Sequence, residues 1–208
     1  MGELIILTAD GTMRAVLQTF FSRQFHHAFG CAPFAFDPAN DIINDPLHTD
    51  GGVHLHCHEI LRPYLNTHKR ALVLLDQKFG GQLPAAKVSA DIEKHLGNSG
   101  WSDFAAIVID PELEVLLWQD NPNVDQALRH TGDPLRQLLA QDGRWPAGMA
   151  KPPQPKNLIQ AIINANRAGP PMVVYSRIAS RVAANGCIDP AFHRVRDTLR
   201  AWFPMEAA

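Results

Sequence analysis

Two short apolar runs that each end in acidic residues constrain the fold of this chain most strongly. The first covers residues 71–75 and is followed by Asp76, and the second covers 104–109 and leads into the acidic run Asp110–Glu114. Continuous apolar runs of this length, with turn formers behind them, are typical of strands buried on both faces. Functional groups of open parallel sheets collect outside the carboxyl ends of the strands. The sequence therefore predicts a parallel sheet with an acidic edge.

A third apolar run opens the chain in the same manner. Residues 4–8 form a short apolar segment that leads into Asp10. From Thr12 onward the apolar residues recur at helical spacing, which predicts a helix that ends near Gly30. We expect Asp10, Asp76 and the acids of the last run to meet in a common crevice.

The segments between and after these strands carry turn and helix patterns. Residues 31–53 are rich in Pro, Asp, Asn and Gly, and at most a short strand is expected at Phe34 and Phe36. The pair Gly80-Gly81 suits a loop, and Pro111 suits the first turn of a helix. Further helices are predicted at about 53–66, 89–96, 123–130, 134–141, 156–168, 173–185 and 190–203.

The order of these elements predicts an α/β fold. Strands and helices alternate at first and helices alone follow, which is typical of a mostly parallel sheet flanked by helices, with a helical C-terminal portion. Residues 151–155 read Lys-Pro-Pro-Gln-Pro, an extended connector that excludes helix. We therefore divide the chain into an α/β domain, residues 1–150, and a helical C-terminal extension packed on it, residues 151–208.

The composition is that of a globular protein with one sizeable core. Hydrophobic residues make up 46% and charged residues 19% of the chain, so wholesale disorder is not expected. Residues 1–141 carry 10 basic and 17 acidic side chains, whereas residues 142–208 carry 9 and 4. A basic tail of this kind predicts a solvated helix face, attraction between the two parts, or a face for a polyanion.

Cysteine usage and the apolar runs indicate the compartment. Cys31, Cys57 and Cys187 are widely spaced and give neither a disulfide framework nor a paired-cysteine zinc motif. The first residues lack the basic start of a secretory signal, and no apolar stretch approaches the roughly 20 residues of a membrane span. We expect a protein of the reducing cytoplasm.

The acids at the strand ends are candidate ligands for a hard cation. Mg²⁺ and Mn²⁺ prefer oxygen donors, usually one or two carboxylates together with water and substrate oxygens. The candidate metal ligands are Asp10, Asp76, Glu112 and Glu114. Of these, Asp76 and Glu112 are also candidate catalytic residues. The alternative is that such acids serve as loop residues and helix caps.

A histidine-rich segment is a second candidate metal site. His54, His56 and His58 lie around Cys57, and imidazole and thiolate are good zinc ligands. On a helix His54 and His58 share a face, whereas on a strand all three histidines align. Neither arrangement matches a standard zinc signature, so helix-entry residues are the default interpretation and a zinc-dependent hydrolase is the alternative.

Basic residues of the tail are candidates for nucleic-acid binding. Arg177 and Arg181 lie four apart on a predicted helix, and Lys156 precedes them. Together they form a candidate phosphate-contacting face, although surface arginines on a terminal helical unit have the same pattern. The motifs GxxxxGK[ST], GxGxxG and GxSxG are missing from the sequence, which removes the main support for a P-loop kinase, a Rossmann dehydrogenase or a serine hydrolase.

Short motifs spread over most of the chain carry a resemblance to a known family. The most specific are the Asp-Pro-Glu-Leu-Glu run at 110–114, the Asp-Pro-Ala-Phe run at 189–192 and the Trp-Phe pair at 202–203. The matching segments are 74–76 with Gly80-Gly81, Gly100-Trp101, 109–115 with Trp118, Lys151-Pro152, Pro155-Lys156, 187–192 and 199–203. In these segments the chain resembles a Toprim-related family of bacterial proteins found beside antiphage defence genes, and in particular a small subunit of methylation-associated defence systems.

The resemblance implies a Toprim-like α/β fold. It also implies a set of active-site acids, from which this chain departs at two positions. Enzymes with that domain hold Mg²⁺ for phosphodiester chemistry with a Glu after the first strand and an Asp-x-Asp pair after a later one. Here the first position reads Ala9-Asp10 and the second reads Asp76-Gln77-Lys78. Lys78 stands where the second carboxylate is expected; it either opposes metal binding or itself contacts a phosphate in a catalytic role.

Two functions are therefore expected from the resemblance, and a zinc hydrolase is a third. The first is a degenerate Toprim-like component of an antiphage defence system, which binds another defence protein or nucleic acid without chemistry of its own. The second is a nuclease or phosphodiesterase that depends on Mg²⁺ or Mn²⁺ and uses the strand-end carboxylates. Because fold does not fix function, the site must decide between them.

Overall fold

The protein has an α/β fold built on a four-stranded, all-parallel sheet flanked by helices, which confirms the predicted fold class. The computed structural model describes residues 1–23, 25–78, 83–182 and 186–205. The predicted loop at Gly80-Gly81 lies outside these residues. None of the described helices combines the length and the apolar character needed to cross a membrane.

The strands and helices follow the apolar patterns of the sequence in most places. The strands are β1 (Ile5–Thr8), β2 (Ile42–Asn44), β3 (Arg70–Asp76) and β4 (Asp103–Ile109). The helices are α1 (Gly11–Phe21), α2 (Phe25–Phe29), α3 (Pro38–Asp41), α4 (Asp50–Leu61), α5 (Ala85–Asn98), α6 (Pro122–Ala127), α7 (Leu135–Gln141), α8 (Pro155–Ala165), α9 (Pro171–Ala179) and α10 (Pro190–Trp202), with short 3-10 helices at Arg62–Tyr64 and Leu113–Leu116.

The strand order places a crevice between two neighbouring strands. The sheet runs in the order β2-β1-β3-β4, so the chain goes from β1 to a neighbour on one side and then to β3 on the other. Thr8 at the end of β1 pairs with Leu74 of β3, and Asp76 pairs with Ile109 of β4. Ligand crevices of parallel sheets form at such a reversal of order, outside the carboxyl ends of the strands.

The helix predicted from Thr12 to Gly30 is not continuous. The first helix, α1, ends at Phe21, and α2 is a separate short helix. The amide and the hydroxyl of Ser22 both donate to the carbonyl of Gln18, which closes the end of α1. A local side-chain bond of this kind competes with continuation of the helix.

The prediction of a short strand at Phe34 and Phe36 is wrong. Within residues 31–53 the strand is β2, at Ile42–Asn44. Both phenylalanine rings belong to an aromatic cluster, and Phe34 stacks on Phe203 at 3.7 Å between ring centroids. In β2, Ile42 is fully buried and pairs with Ile6 of β1. Phe34 and Phe36 therefore contribute aromatic rings to this cluster, and Ile42 and Ile43 of β2 pair with β1.

The helices after residue 150 pack closely on the rest of the protein. Helix α9 lies against α1, α10 lies against β4, and α8 lies against the 3-10 helix at Leu113–Leu116. Two arginines of α10 donate hydrogen bonds to other elements. Arg194 donates to the carbonyl of Val108 in β4 at 2.9 Å, and Arg200 donates to the carbonyl of Phe29 in α2 at 2.7 Å. Part of the basic surplus of the tail therefore serves internal contacts.

We expect Arg194→Ala to lower the free energy of unfolding by about 2 kcal/mol, because Arg194 covers a carbonyl of the edge strand β4 with a charged donor. Arg144→Ala is the matched control, since Arg144 pairs with Asp142 at the surface, where both residues are exposed, and should cost less than about 0.5 kcal/mol. Urea unfolding of the two variants measures the difference. Equal losses in both would contradict this role of Arg194.

Candidate functional site

Acidic side chains from two strand ends and a following loop line one crevice at the edge of the sheet. Asp10 follows β1 and caps α1 by accepting a hydrogen bond from the Met13 amide at 2.7 Å. Asp76 is the last residue of β3, and Glu114 lies in the 3-10 helix after β4. All three carboxylates line a cavity of about 100 Å³, which we call the acidic crevice.

Backbone hydrogen bonds fix Asp76 in this crevice. Its Oδ1 accepts a hydrogen bond from the amide of Leu113 at 2.8 Å. The amide of Asp76 donates to Oδ1 of Asp50, also at 2.8 Å. Asp50 is the first residue of α4, so a fourth acid stands beside the strand end. Asp50 is not among the predicted site residues, because the strand that precedes α4 was not predicted.

Glu114 is the most deeply buried acid of the crevice. Its side chain is part of a residue that is 3% exposed, and its Oε1 accepts a hydrogen bond from the Tyr175 hydroxyl at 3.1 Å. The other oxygen, Oε2, is fully buried and has no hydrogen-bond partner within the described parts of the chain. A buried acceptor without a partner destabilises the folded state by about 1–3 kcal/mol, and Oε2 of Glu114 is such an acceptor.

Glu112 and Asp110 lie apart from the lining of the crevice. Glu112 is buried, and its Oε1 accepts a hydrogen bond from the amide of Lys156 at 3.3 Å, which holds the start of α8. Asp110 is exposed, and its carbonyl accepts a hydrogen bond from Lys151. The acids of the last run therefore do not all point into one crevice as expected; of this run, Glu114 does.

The helix expected at Pro111 is not formed. The Asp110–Pro111 peptide bond is cis, and Glu112 has an extended backbone before the 3-10 helix starts at Leu113. The carbonyl of Pro111 accepts a hydrogen bond from the amide of Lys78. This turn, rather than a helix, brings the Leu113 amide to Asp76.

Burial and mutual repulsion raise the proton affinity of the crevice acids. Burial, helped by the charges of Asp50, Glu114 and Asp10, raises the pKa of Asp76 to about 8. Burial also raises the pKa of Asp50 and of Glu114 above their ordinary values, and the charge of Lys156 acts in the opposite direction on both. At neutral pH the crevice therefore keeps a proton on Asp76 unless a cation enters.

The cation at the crevice comes from α8 and not from the strand end. Lys156 lines the crevice with the three carboxylates. Lys78, the residue that replaces the expected second carboxylate, is exposed and does not line it. The catalytic role of Lys78 stays a prediction. Among the described lining residues, the ammonium group beside the acids is that of Lys156.

Arg177 and Arg181 do not form a helical pair. Helix α9 ends at Ala179, so Arg181 lies beyond it. Arg177 donates to the carbonyl of Ala127 at 3.1 Å, and Arg181 donates to Oε1 of Gln126 at 2.6 Å. Both guanidinium groups thus contact α6, and Arg181 remains exposed. The role of Arg177 and Arg181 in nucleic-acid binding stays a prediction.

The histidines of α4 contact separate neighbours. Nε2 of His54 lies 3.6 Å from a carboxylate oxygen of Asp91, the ring of His58 lies 5.1 Å from that of His95, and His56 is partly exposed. Among the described residues, no three His, Cys, Asp or Glu side chains are placed to hold a metal ion as they stand. His54 and His58 therefore contact α5, whereas His56 pairs with Glu59 of its own helix.

Comparison of the chain with protein-family models, with curated proteins and with solved structures finds no match. The geometry of the acidic crevice is therefore the basis for assigning a function. Its chemistry is that of an acid-rich, partly closed pocket with one ammonium among the described lining residues, and the buried, unpartnered oxygen of Glu114 suits a positively charged donor.

We expect the stability of the protein to fall by roughly 3–5 kcal/mol between pH 4 and pH 8. In that window the folded state holds a proton on Asp76 that the unfolded chain releases, and each pKa unit corresponds to about 1.4 kcal/mol. Asp76→Asn keeps an acceptor for Leu113 and should remove most of this fall. Urea unfolding at pH 5, 6.5 and 8 measures it.

Asp103→Asn serves as the control for this prediction. Asp103 is an exposed acid at the opposite end of β4. Its substitution should leave the pH dependence of the wild type unchanged. If the slope is the same in Asp76→Asn as in wild type, the raised pKa of Asp76 is contradicted.

Proposed function

We propose that the protein is a Toprim-like component of a bacterial antiphage defence system that acts in the cytoplasm as a binding subunit. It binds a partner protein of that system and does not cut nucleic acid. The motif resemblance supports the family. The observation that carries the binding role is the partly open acidic crevice, whose lining combines Asp10, Asp76 and Glu114 with residues of α8 and α9.

The size of the crevice supports binding without phosphodiester cleavage. A volume of about 100 Å³ is well below the 300–1,000 Å³ of pockets that take small-molecule ligands such as nucleotides. Met172 and Tyr175 of α9 line the crevice above the acids. The volume inside the crevice matches a single side-chain group or ion better than a nucleotide.

The distribution of basic side chains favours a protein partner over nucleic acid. Of the basic residues in the tail, Arg177, Arg194 and Arg200 donate to backbone carbonyls elsewhere in the fold. Lys151 pairs with Asp189 at 2.9 Å. Charges held in internal contacts contribute little to a phosphate-binding face, which needs several free Lys or Arg groups.

The second candidate function is a nuclease or phosphodiesterase that depends on Mg²⁺ or Mn²⁺. The three lining carboxylates favour it, since they supply the hard oxygen donors that these ions prefer, and the unpartnered Oε2 of Glu114 suits a cation. As they stand, no three His, Cys, Asp or Glu side chains of the described residues are placed to hold an ion, so Asp10, Asp76 and Glu114 would have to move closer together to bind one. Glu112 does not fit this set, because its carboxylate holds the start of α8.

Cleavage assays decide between the two functions. Purified protein incubated with labelled DNA or RNA oligonucleotides in Mg²⁺ or Mn²⁺ should give no products above those of a protein-free control. Cleavage that is lost in Asp76→Asn and kept in Asp103→Asn would contradict the binding role and establish the nuclease.

The binding role also has a positive test. Co-expressed with the products of its neighbouring genes, the chain should elute with one of them as a stable complex in size-exclusion chromatography. Deletion of its gene should raise the plating efficiency of a phage that the intact system restricts. A monomeric elution with every neighbouring product, together with unchanged phage plating, would sink the proposal.

A further inference from the structure

The mouth of the acidic crevice has an exposed apolar rim. Helix α9 begins at Pro171, and its next two side chains, Met172 and Val173, are 49% and 51% exposed. Met172 lines the crevice, and Tyr175 of the same helix holds Glu114 at its floor. Val173 lies outside the described lining, so Pro171 and Met172 form the apolar part of the rim beside the carboxylates.

The described lining of the crevice has more acidic than basic side chains. Asp10, Asp76 and Glu114 line it, and Lys156 is the one cation among the described lining residues. Oε2 of Glu114 is buried and without a hydrogen-bond partner among the described residues, although its residue belongs to the lining. A donor that carries a positive charge would satisfy this oxygen and offset the repulsion among the acids.

We infer that the acidic crevice receives a lysine or arginine side chain of the partner protein. The inference rests on the proposed binding function and names the contact through which it acts. A basic side chain has a long apolar stem and a charged head, which match the rim at Met172 and the floor at Glu114. The crevice volume of about 100 Å³ accommodates such a head group.

The test uses single-residue probes and the full-length protein. N-acetyl-arginine amide and N-acetyl-lysine amide are titrated into ¹⁵N-labelled protein and followed by NMR. Saturable shifts are expected at the amides of Leu113, Glu114 and Tyr175. N-acetyl-citrulline amide, the uncharged counterpart of the arginine probe, should bind at least ten-fold more weakly.

Two substitutions locate the binding. Glu114→Gln keeps an acceptor for Tyr175 but removes the charge, and it should weaken binding of the arginine probe at least ten-fold. Met172→Lys puts a competing ammonium at the rim and should weaken it by a similar factor, without a risk to the core. Met149→Lys is the matched control, because Met149 is 44% exposed outside the crevice lining, and it should change affinity by less than two-fold.

The outcomes separate this inference from the proposed function. Unchanged affinity in both Glu114→Gln and Met172→Lys, with unchanged melting temperatures, would overturn it. Shifts at the crevice with Mg²⁺ alone and none with the arginine probe would overturn it in favour of a metal site. A stable complex with a neighbouring gene product that survives Met172→Lys would leave the binding role intact and place the contact elsewhere.

Discussion

Electrostatic repulsion among acids held at one partly buried sheet edge is the constraint on which the rest of this structure depends. Charged carboxylates are costly in a low-dielectric site, and their neighbours raise the cost further. The fold places each acid in a different environment, which lowers this electrostatic cost. Asp10 stays solvated and caps α1, Asp76 accepts an amide hydrogen bond and takes up a proton, and Glu114 is held by Tyr175.

The helices after residue 150 complete the crevice rather than merely extend the chain. Lys156 of α8 supplies its cation, and Met172 and Tyr175 of α9 supply its rim and a hydrogen bond to its floor. Residues 1–150 alone would leave Asp76 and Glu114 open to water, which would lower their proton affinity. The division of the chain at residue 150 stays a prediction, but the candidate site uses both parts.

The parts of the site that could be predicted are those set by local pattern. Runs of buried apolar residues identified β1, β3 and β4, and parallel pairing then placed Asp10 and Asp76 at one edge. The position of β2 could not be predicted, because a three-residue strand among turn formers has no period to recognise. Asp50, at the start of the helix that follows β2, was missed for the same reason.

Long-range contacts decided the remaining residues of the site. The resemblance pointed to Lys78 because it stands where the second carboxylate is expected, whereas the crevice is lined by Lys156, 78 positions further along. Glu112 and Glu114 look equivalent in sequence, yet one holds the start of α8 and the other faces the crevice. Sequence spacing identifies acids at a strand end; the packing of α8 and α9 determines which of them are buried together.

The ionisation of Asp76 tests the central claim most directly, since it reports both burial and the nearness of the other acids. A ¹³C NMR titration of the Asp76 carboxyl, assigned by comparison with Asp76→Asn, gives its pKa in the folded protein without added metal. We predict a midpoint near pH 8. A midpoint at the ordinary value near 4 would show that the acids are solvated and apart, and would contradict the account.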